Sequence, residues 1–590
     1  MLKKAFLTNS SGIMCSRIFG FLRDLSMAHI LGAGIYSDIF FVAFKFPNLF
    51  RRIFCEGAFS QSFLPNFIAS SKKGAFVVLT LGAFSIILLC LSLFVMAFSG
   101  GVTRILALGF SQNLIEIAKP IVAIHFWYLL LVFWVTFFSA LLQYKQHFWV
   151  SAYNTALLNI AMILALFLAQ GKDELEIVYF VSYGVLLGGV AQVGLHFYPL
   201  WKLGFWRLFV CGVLEIKKAF FSGGNSPAGS HLANPSTPLH CGARPSAPHS
   251  QGETICQSTT SRARIVDSSI SESSLRENPQ DSRGNLTQND KTNSPSLAEG
   301  VRGRVDSNAE LSLQDSESEC GKTRQSRSFF SNDSKQQKSL ASKIKSELKS
   351  FFCQFLPAML GSSTAQIASF IDTILASFLA SGSISYLYYA NRIFQLPLAI
   401  FAIAISTALF PMVAKSIKAK QESQVLQAMK KSFWFLCFML LACAIGGIML
   451  DKQIIWLLYE RGKFVRSDTI ECALVFCGYM IGLVPFGLAR IFSLYLYATM
   501  KQALAAKISA IALGFGVVFS LIFMQFLGAF GLALAGSLSG FVLFGFTIKA
   551  FGFAKFWGII ADFKLSALLV GFIGLEVGIL WILLEFVQIP

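Results

Sequence analysis

SRIFGFLRDLSMAHILGAGIYSDIFFVAFKFPNLFRRIFCEGAFSQSFLPNF, residues 16–67, is apolar enough to lie in a membrane, yet it carries Arg17, Arg23, Asp38, Lys45, Arg51 and Arg52. A charged side chain at bilayer depth costs roughly 2.5–3.5 kcal/mol even on insertion scales. So many charges on two successive helices cannot all face lipid. The cheapest arrangement turns most of them inward, into a water-filled cavity where several arginines converge. Guanidinium groups stay ionised and present forked donors, which suits a phosphate-bearing ligand. The stretch therefore predicts a membrane transporter with a cationic central chamber.

Composition agrees. The 590 residues are 55% hydrophobic and only 14% charged, with mean hydropathy +0.62. Soluble domains carry about 25% charged residues. The net charge of +18 fits Lys- and Arg-rich cytoplasmic loops rather than a nucleic-acid partner. Cysteines such as Cys90, Cys437, Cys443 and Cys477 sit inside apolar runs with no CxxC pair, so they read as small apolar filler and not as a metal site or disulfide framework. No cleavable signal peptide is expected, because Met1-Leu-Lys-Lys opens a span that continues into charged sequence.

Runs of about 20 apolar residues place spans near 8–31, 36–69, 75–98, 118–142, 149–170 and 176–199. Residues 201–221 mix Lys202, Arg207, Lys217 and Lys218 with Trp, Phe and Leu, as in a helix lying on the membrane surface. Residues 222–342 are rich in Ser, Asn, Gln, Gly and Pro, too polar to offset their ordering entropy, and are expected to be a disordered insert. Further spans fall near 351–380, 384–413, 430–450, 470–499, 504–526, 528–551 and 565–586. The fold class expected is an all-α polytopic membrane protein of about thirteen helices. Its parts are an N-terminal lobe of six spans (1–200), the surface helix (201–221), the insert (222–342), a C-terminal six-span lobe (343–551) and an extra span (552–590).

Orientation follows from the basic loops. With the N-terminus inside, Lys72-Lys73, Lys145, the 202–218 stretch, the lysines from Lys415 to Lys431, Lys501-Lys507 and Lys549-Lys555-Lys564 all become cytoplasmic. The opposite side keeps GAG (32–34), KDELE (172–176), SGS (381–383), the mixed-charge loop 451–471 and GA (528–529). The insert is then cytoplasmic and the C-terminus periplasmic.

The opening stretch has a second copy. In LRDLSMAHILGAGIYSDIFFVAFKFPNLF and FIDTILASFLASGSISYLYYANRIFQLPLAI, Asp24 matches Asp372, the turn 32–34 matches 381–383, Lys45 matches Arg392 and Pro47 matches Pro397. Phe63-Leu-Pro65 answers Leu409-Phe-Pro411. Six spans separate the copies, so both run the same way through the bilayer. That is a parallel repeat about an axis along the membrane normal, with a chamber between two six-helix lobes. At 1.5 Å per residue, Arg17 and Arg23 lie roughly 14 and 22 Å in from the cytoplasmic end, Arg51 roughly 22 Å and Arg392 roughly 12 Å below the outer surface. All fall within a hydrocarbon core of about 30 Å. Asp38, near the outer end of its helix, is placed to close a gate or to pair with one of these arginines.

SRIFGFLRD, GAGIYSDIFFVAFKFPNLFRRIFCEGAFSQSFLP and ASFLASGSISYLYYANRIFQLP resemble the MurJ/MviN lipid II flippases of the multidrug/oligosaccharidyl-lipid/polysaccharide exporter superfamily. The resemblance implies transfer of undecaprenyl-pyrophosphate-linked peptidoglycan precursor from the inner to the outer leaflet of the bacterial cytoplasmic (inner) membrane, by rocking lobes, for peptidoglycan synthesis. It implies substrate-binding roles for Arg17, Arg23, Arg51 and Arg392, with Arg52, Asn48 and Ser385 also at cavity positions, and a gating role for Asp38. No cofactor is expected; the membrane potential or an ion gradient supplies the drive. Some members bind sodium, and Asp372 could contribute to such ion coupling, but 504–526 holds neither Asp nor Asn, which argues against a sodium site. An equally good role for Asp372 is partner to a residue of the other lobe. Asn391 and Gln395 stand where members can carry acids, which makes that face more positive. Members usually have fourteen spans, so a single helix after the twelfth puts the lipid-tail groove in question. The partners implied are lipid II and membrane lipid, with cell-wall synthesis proteins as further candidates.

Other functions fit less well. His29, His125, His147 and His196 are isolated, with no Ser/His/Asp grouping or metal spacing, so no enzyme is expected. A drug/cation antiporter would line its chamber with acids, the opposite charge. A flippase for another polyprenyl-pyrophosphate-linked glycan offers the same pyrophosphate and is the nearest alternative.

Overall fold

The computed structural model describes residues 2–53, 59–145, 147–217 and 333–586. The Arg52 side chain and residues 218–332, which include most of the expected insert, lie outside them. The first lobe is built from α1 (Leu2–Leu31), α2 (Ile35–Ile53), α3 (Phe59–Ala69), α4 (Lys73–Ala97), α5 (Ser99–Leu106), α6 (Gln112–Tyr144), α7 (Trp149–Leu168) and α8 (Glu174–Lys202), followed by α9 (Phe205–Ile216). The second contains α10 (Asp333–Ala376), α11 (Ser383–Pro397), α12 (Ala404–Lys418), α13 (Glu422–Met449), α14 (Asp451–Tyr459), α15 (Arg466–Ile481), α16 (Leu483–Ala498) and α17 (Gln502–Phe551). α18 (Phe553–Ile560) and α19 (Phe563–Phe586) complete the chain.

Among the described residues, nine stretches are long and apolar enough to cross a membrane. α17 holds two spans, because Gly528 (φ 56°) breaks its 50 residues in the middle. The charge-bearing α1, α2 and α10 pack among these stretches, which brings the spans to thirteen. The protein is a multi-pass, all-α membrane protein. Three short helices, α5, α14 and α18, lie where the sequence reading expected loops.

Two boundaries differ from expectation. Helix α10 begins at Asp333, inside the stretch assigned by composition to the insert. Its first half also belongs to the other lobe's core. Phe351 and Phe355 are buried against Phe59, Phe63 and Phe84, with ring centroids 5.5–6.4 Å apart. Such edge-to-face aromatic packing contributes beyond simple area burial. One carboxylate adds to it: Glu347 accepts from the Ser70 hydroxyl at 2.7 Å and from the Ser71 hydroxyl and amide at 2.9 and 3.2 Å. The far end of α10, at Leu375 and Ala376, joins a core shared by both lobes, and the helix packs on α17 of the second lobe. α10 therefore ties the lobes together instead of belonging to one.

The repeat appears as contacts between matched positions at a constant offset of 347. Asp38 meets Ser385 and Phe41 stacks on Tyr388, their rings 4.0 Å apart and inclined by 22°. Equivalent residues can touch only on the pseudo-two-fold axis, so the axis runs between α2 and α11. These positions occupy one helical face, and the next ones along it, Lys45 with Arg392 and Asn48 with Gln395, instead line a cavity. The two helices touch at the end carrying the small-residue turns and diverge toward the end with the basic loops. Pro47 lies inside α2, which continues through it. After Pro397, the backbone runs as a π-helical segment, Leu398–Ile403, a local widening that a proline without an N–H favours.

Candidate functional site: a cationic chamber between the lobes

The divergence encloses about 1280 Å³. Arg17, Arg23, Lys45, Arg51, Arg392 and Arg490 line it, against Asp372 as the one lining carboxylate among the described residues. Such a surface attracts anions and repels organic cations.

Arg23 and Arg392, one from each lobe, share Asp24. Arg23 donates to Asp24 Oδ1 through Nε at 3.0 Å and Nη2 at 2.5 Å, to Asn159 Oδ1 at 3.0 Å and to the Tyr388 hydroxyl oxygen at 2.7 Å. Arg392 Nε lies 2.7 Å from Asp24 Oδ2. Two guanidinium groups on one carboxylate leave an excess positive charge at the head of the chamber. The Arg392 side chain is 30% exposed against 8% for Arg23, so Arg392 is the one turned toward a ligand. Gly20 makes room for it: a Cβ there would lie 2.8 Å from Arg392 Nη2.

The remaining expected residues spread along the chamber. Arg17 is exposed to it and has no partner among the described residues. Arg51 is steered by Asn48, whose Oδ1 accepts from Nε at 3.2 Å and Nη2 at 3.1 Å. Asp372 faces Lys45 of the other lobe and the Ser520 hydroxyl, the lobe-partner alternative, while Lys45 donates to Ser369 Oγ at 2.8 Å. Ser520 lies on the eleventh span, the one without Asp or Asn.

Ser385 is not with the arginines. It is fully buried beside Asp38, which accepts from its hydroxyl at 2.6 Å, its amide at 2.8 Å and the Gly382 amide at 2.7 Å. The Ser37 and Ser385 hydroxyl oxygens are 2.9 Å apart. Gly382 has φ 91°, and a Cβ there would come within 2.8 Å of Ala33 O, so this close approach of the lobes requires glycine. A buried carboxylate that accepts three hydrogen bonds from the facing lobe is a latch. It has a neighbour at the same end: Lys463 donates its amide to His29 O at 3.0 Å and its Nζ to Glu174 Oε1 at 2.8 Å.

Asp24, Asn159, Tyr388 and Arg490 were not among the expected site residues. Arg490 was detectable as an isolated charge in the apolar stretch 472–498. Asn159 and Tyr388 give no such signal.

The family model described as lipid II flippase MurJ matches residues 27–223 and 329–589. The chain belongs to the MurJ lipid II flippase family. A probable lipid II flippase MurJ of Helicobacter pylori is 46% identical over 91% of this chain and 92% of its own length. The Vibrio cholerae relative of the same description is 24% identical over 92% and 81%. Among solved structures, a lipid II flippase MurJ in an inward closed conformation superposes with a TM-score of 0.65 at 18% identity, over 99% of this chain and 94% of that one. An inward-facing multidrug transporter of the MATE family superposes at 0.56 and 12% identity, over 94% and 98%. At those identities the superpositions show the fold.

Proposed function

We propose that this chain is a lipid II flippase of the bacterial cytoplasmic membrane, moving the polyprenyl-pyrophosphate-linked precursor from the inner to the outer leaflet by alternating access. Family membership supports the substrate. The observation that carries the mechanism is the junction where Arg23 and Arg392 share Asp24 at the head of the chamber. A pyrophosphate entering from the basic end offers Arg392 a stronger acceptor than one oxygen of a carboxylate it shares with Arg23, and Arg17 and Arg51 follow the rest of the headgroup. Their charges offset the cost of removing the pyrophosphate from water. When Arg392 transfers its bonds to the substrate, a contact between the lobes is exchanged for contacts to a movable ligand. The lobes can then rock about the α2–α11 axis, releasing the Asp38 latch. The positive-inside pattern of the loops supports a cytoplasmic position for the basic end and the N-terminus. The membrane potential, or an ion gradient, supplies the drive, and transport requires no catalytic step by the chain.

Replacing Arg17, Arg51 or Arg392 by Ala is expected to abolish growth of a flippase-depleted cell, with inner-leaflet lipid II accumulating and the variant still inserted in the membrane. Normal growth of the alanine variants would overturn the mechanism.

A further inference from the structure

A second cavity, of about 120 Å³, opens off the first and extends into the N-terminal lobe. Arg51, Ser151 and Thr155 line both cavities and so mark the mouth. The inner wall is one face of α6, where Tyr128, Val132, Thr136, Ser139 and Gln143 follow at intervals of three and four. Gln192 closes the back, its amide donating to Asn154 O at 2.9 Å and Oδ1 at 2.8 Å and its Oε1 accepting from the Tyr128 hydroxyl at 3.3 Å. That network is internally satisfied. Ser151 is not: its hydroxyl oxygen is buried and has no partner among the described residues. A buried polar atom without a bond is costly, and this one lies at the mouth of a polar pocket.

The position of the pocket is set by α7. Asn159, which holds Arg23, stands on the same helical face as Thr155 and Ser151, one and two turns toward the basic end. At 1.5 Å per residue these lie about 6 and 12 Å from Asn159 along the helix. A substrate whose pyrophosphate reaches Arg23 and Arg392 brings its first sugar alongside them.

We infer that this side pocket is a subsite for an uncharged acetamido substituent on the sugar next to the pyrophosphate; the inference rests on the flippase reading above. Among the described residues the lining has Arg51 as its only charge, combining carboxamides and hydroxyls with the apolar Val132 and Val135. An acetamido group needs that combination: donor and acceptor partners for its amide, and an apolar wall for its methyl. A carboxylate among two valines with one cation at the rim would remain poorly compensated. About 120 Å³ is room for roughly four waters at 30 Å³ each, enough for the substituent but not for a second sugar ring.

The test uses the full-length protein in proteoliposomes with two lipids, a polyprenyl-pyrophosphate-linked 2-acetamido-hexose and its 2-hydroxy counterpart. The native protein is expected to move the acetamido lipid about tenfold faster, the equivalent of one to two hydrogen bonds. Ser151→Leu fills the mouth without removing a bond and should bring the ratio close to one. Gln143→Leu keeps the volume but removes a donor and an acceptor, and should lower the ratio severalfold. Equal rates in the native protein, or an unchanged ratio in both variants, would overturn the subsite while leaving the flippase reading in place. Transport of neither lipid would overturn that reading, and the subsite with it.

Discussion

The two copies of the repeat place an acid and a base at matched positions and use them differently. In each half the first helix carries the acid, Asp24 or Asp372, and the second carries the base, Lys45 or Arg392. Each acid faces the base of the other lobe, so the pseudo-symmetry yields two crossings between lobes instead of two local pairs. The N-terminal copy adds Arg23 beside Asp24, whereas Ile371 precedes Asp372. One crossing therefore holds two guanidinium groups on a single carboxylate. The other pairs one ammonium with one carboxylate. The lesson is that duplication supplied the frame, and a single extra arginine left one of two similar bridges with an excess positive charge.

The largest expected effect breaks the charged crossing. Asp24→Ala leaves two arginines without their carboxylate, and removing one partner of a buried ionic cluster costs about 3–5 kcal/mol. Thermal unfolding of the detergent-solubilised variant should show a marked loss of stability, and a transition unchanged from the native protein would mean that solvent already screens the cluster. Lys45→Ala tests the weaker crossing. Its side chain is half-buried, and partly exposed pairs contribute roughly 0.2–1 kcal/mol, so transport should fall by no more than about fivefold. A complete loss would make the two crossings equivalent. Smallest of all is excision of residues 224–328, between the two family-matched segments, with the flanks joined by a flexible linker. Complementation is expected to stay at the native level, and failure would give the insert a part in transport.

Much of this was legible in the sequence, because charges in apolar helices are costly enough to stand out. Arg17, Arg51 and Arg392 at the chamber follow from that cost, and the repeat was legible in the matched positions of its two copies. Ser385 was misjudged for a geometric reason: it matches Asp38 in the repeat, and matched residues near the axis meet each other before they meet a ligand. Asp24 was read only as the repeat match of Asp372, and nothing in the sequence marks it as the partner of Arg392 from the far lobe. The start of α10 was hidden by its Lys and Ser content. Only Ile344, Leu348, Phe351 and Phe355, spaced by three and four, betray the helix. Asn159 and Tyr388 are ordinary span residues until folding sets them against Arg23.

The central claim is that the lobes must part at the latch for substrate to cross. It is tested most directly by Ser37→Cys/Ser385→Cys, introduced with the native cysteines replaced, because the two hydroxyl oxygens are 2.9 Å apart and cysteine sulfurs there can form a disulfide across the axis. Lipid II transport by the oxidised protein should stop and return on reduction. Transport continuing at the same rate with the disulfide intact would contradict the account.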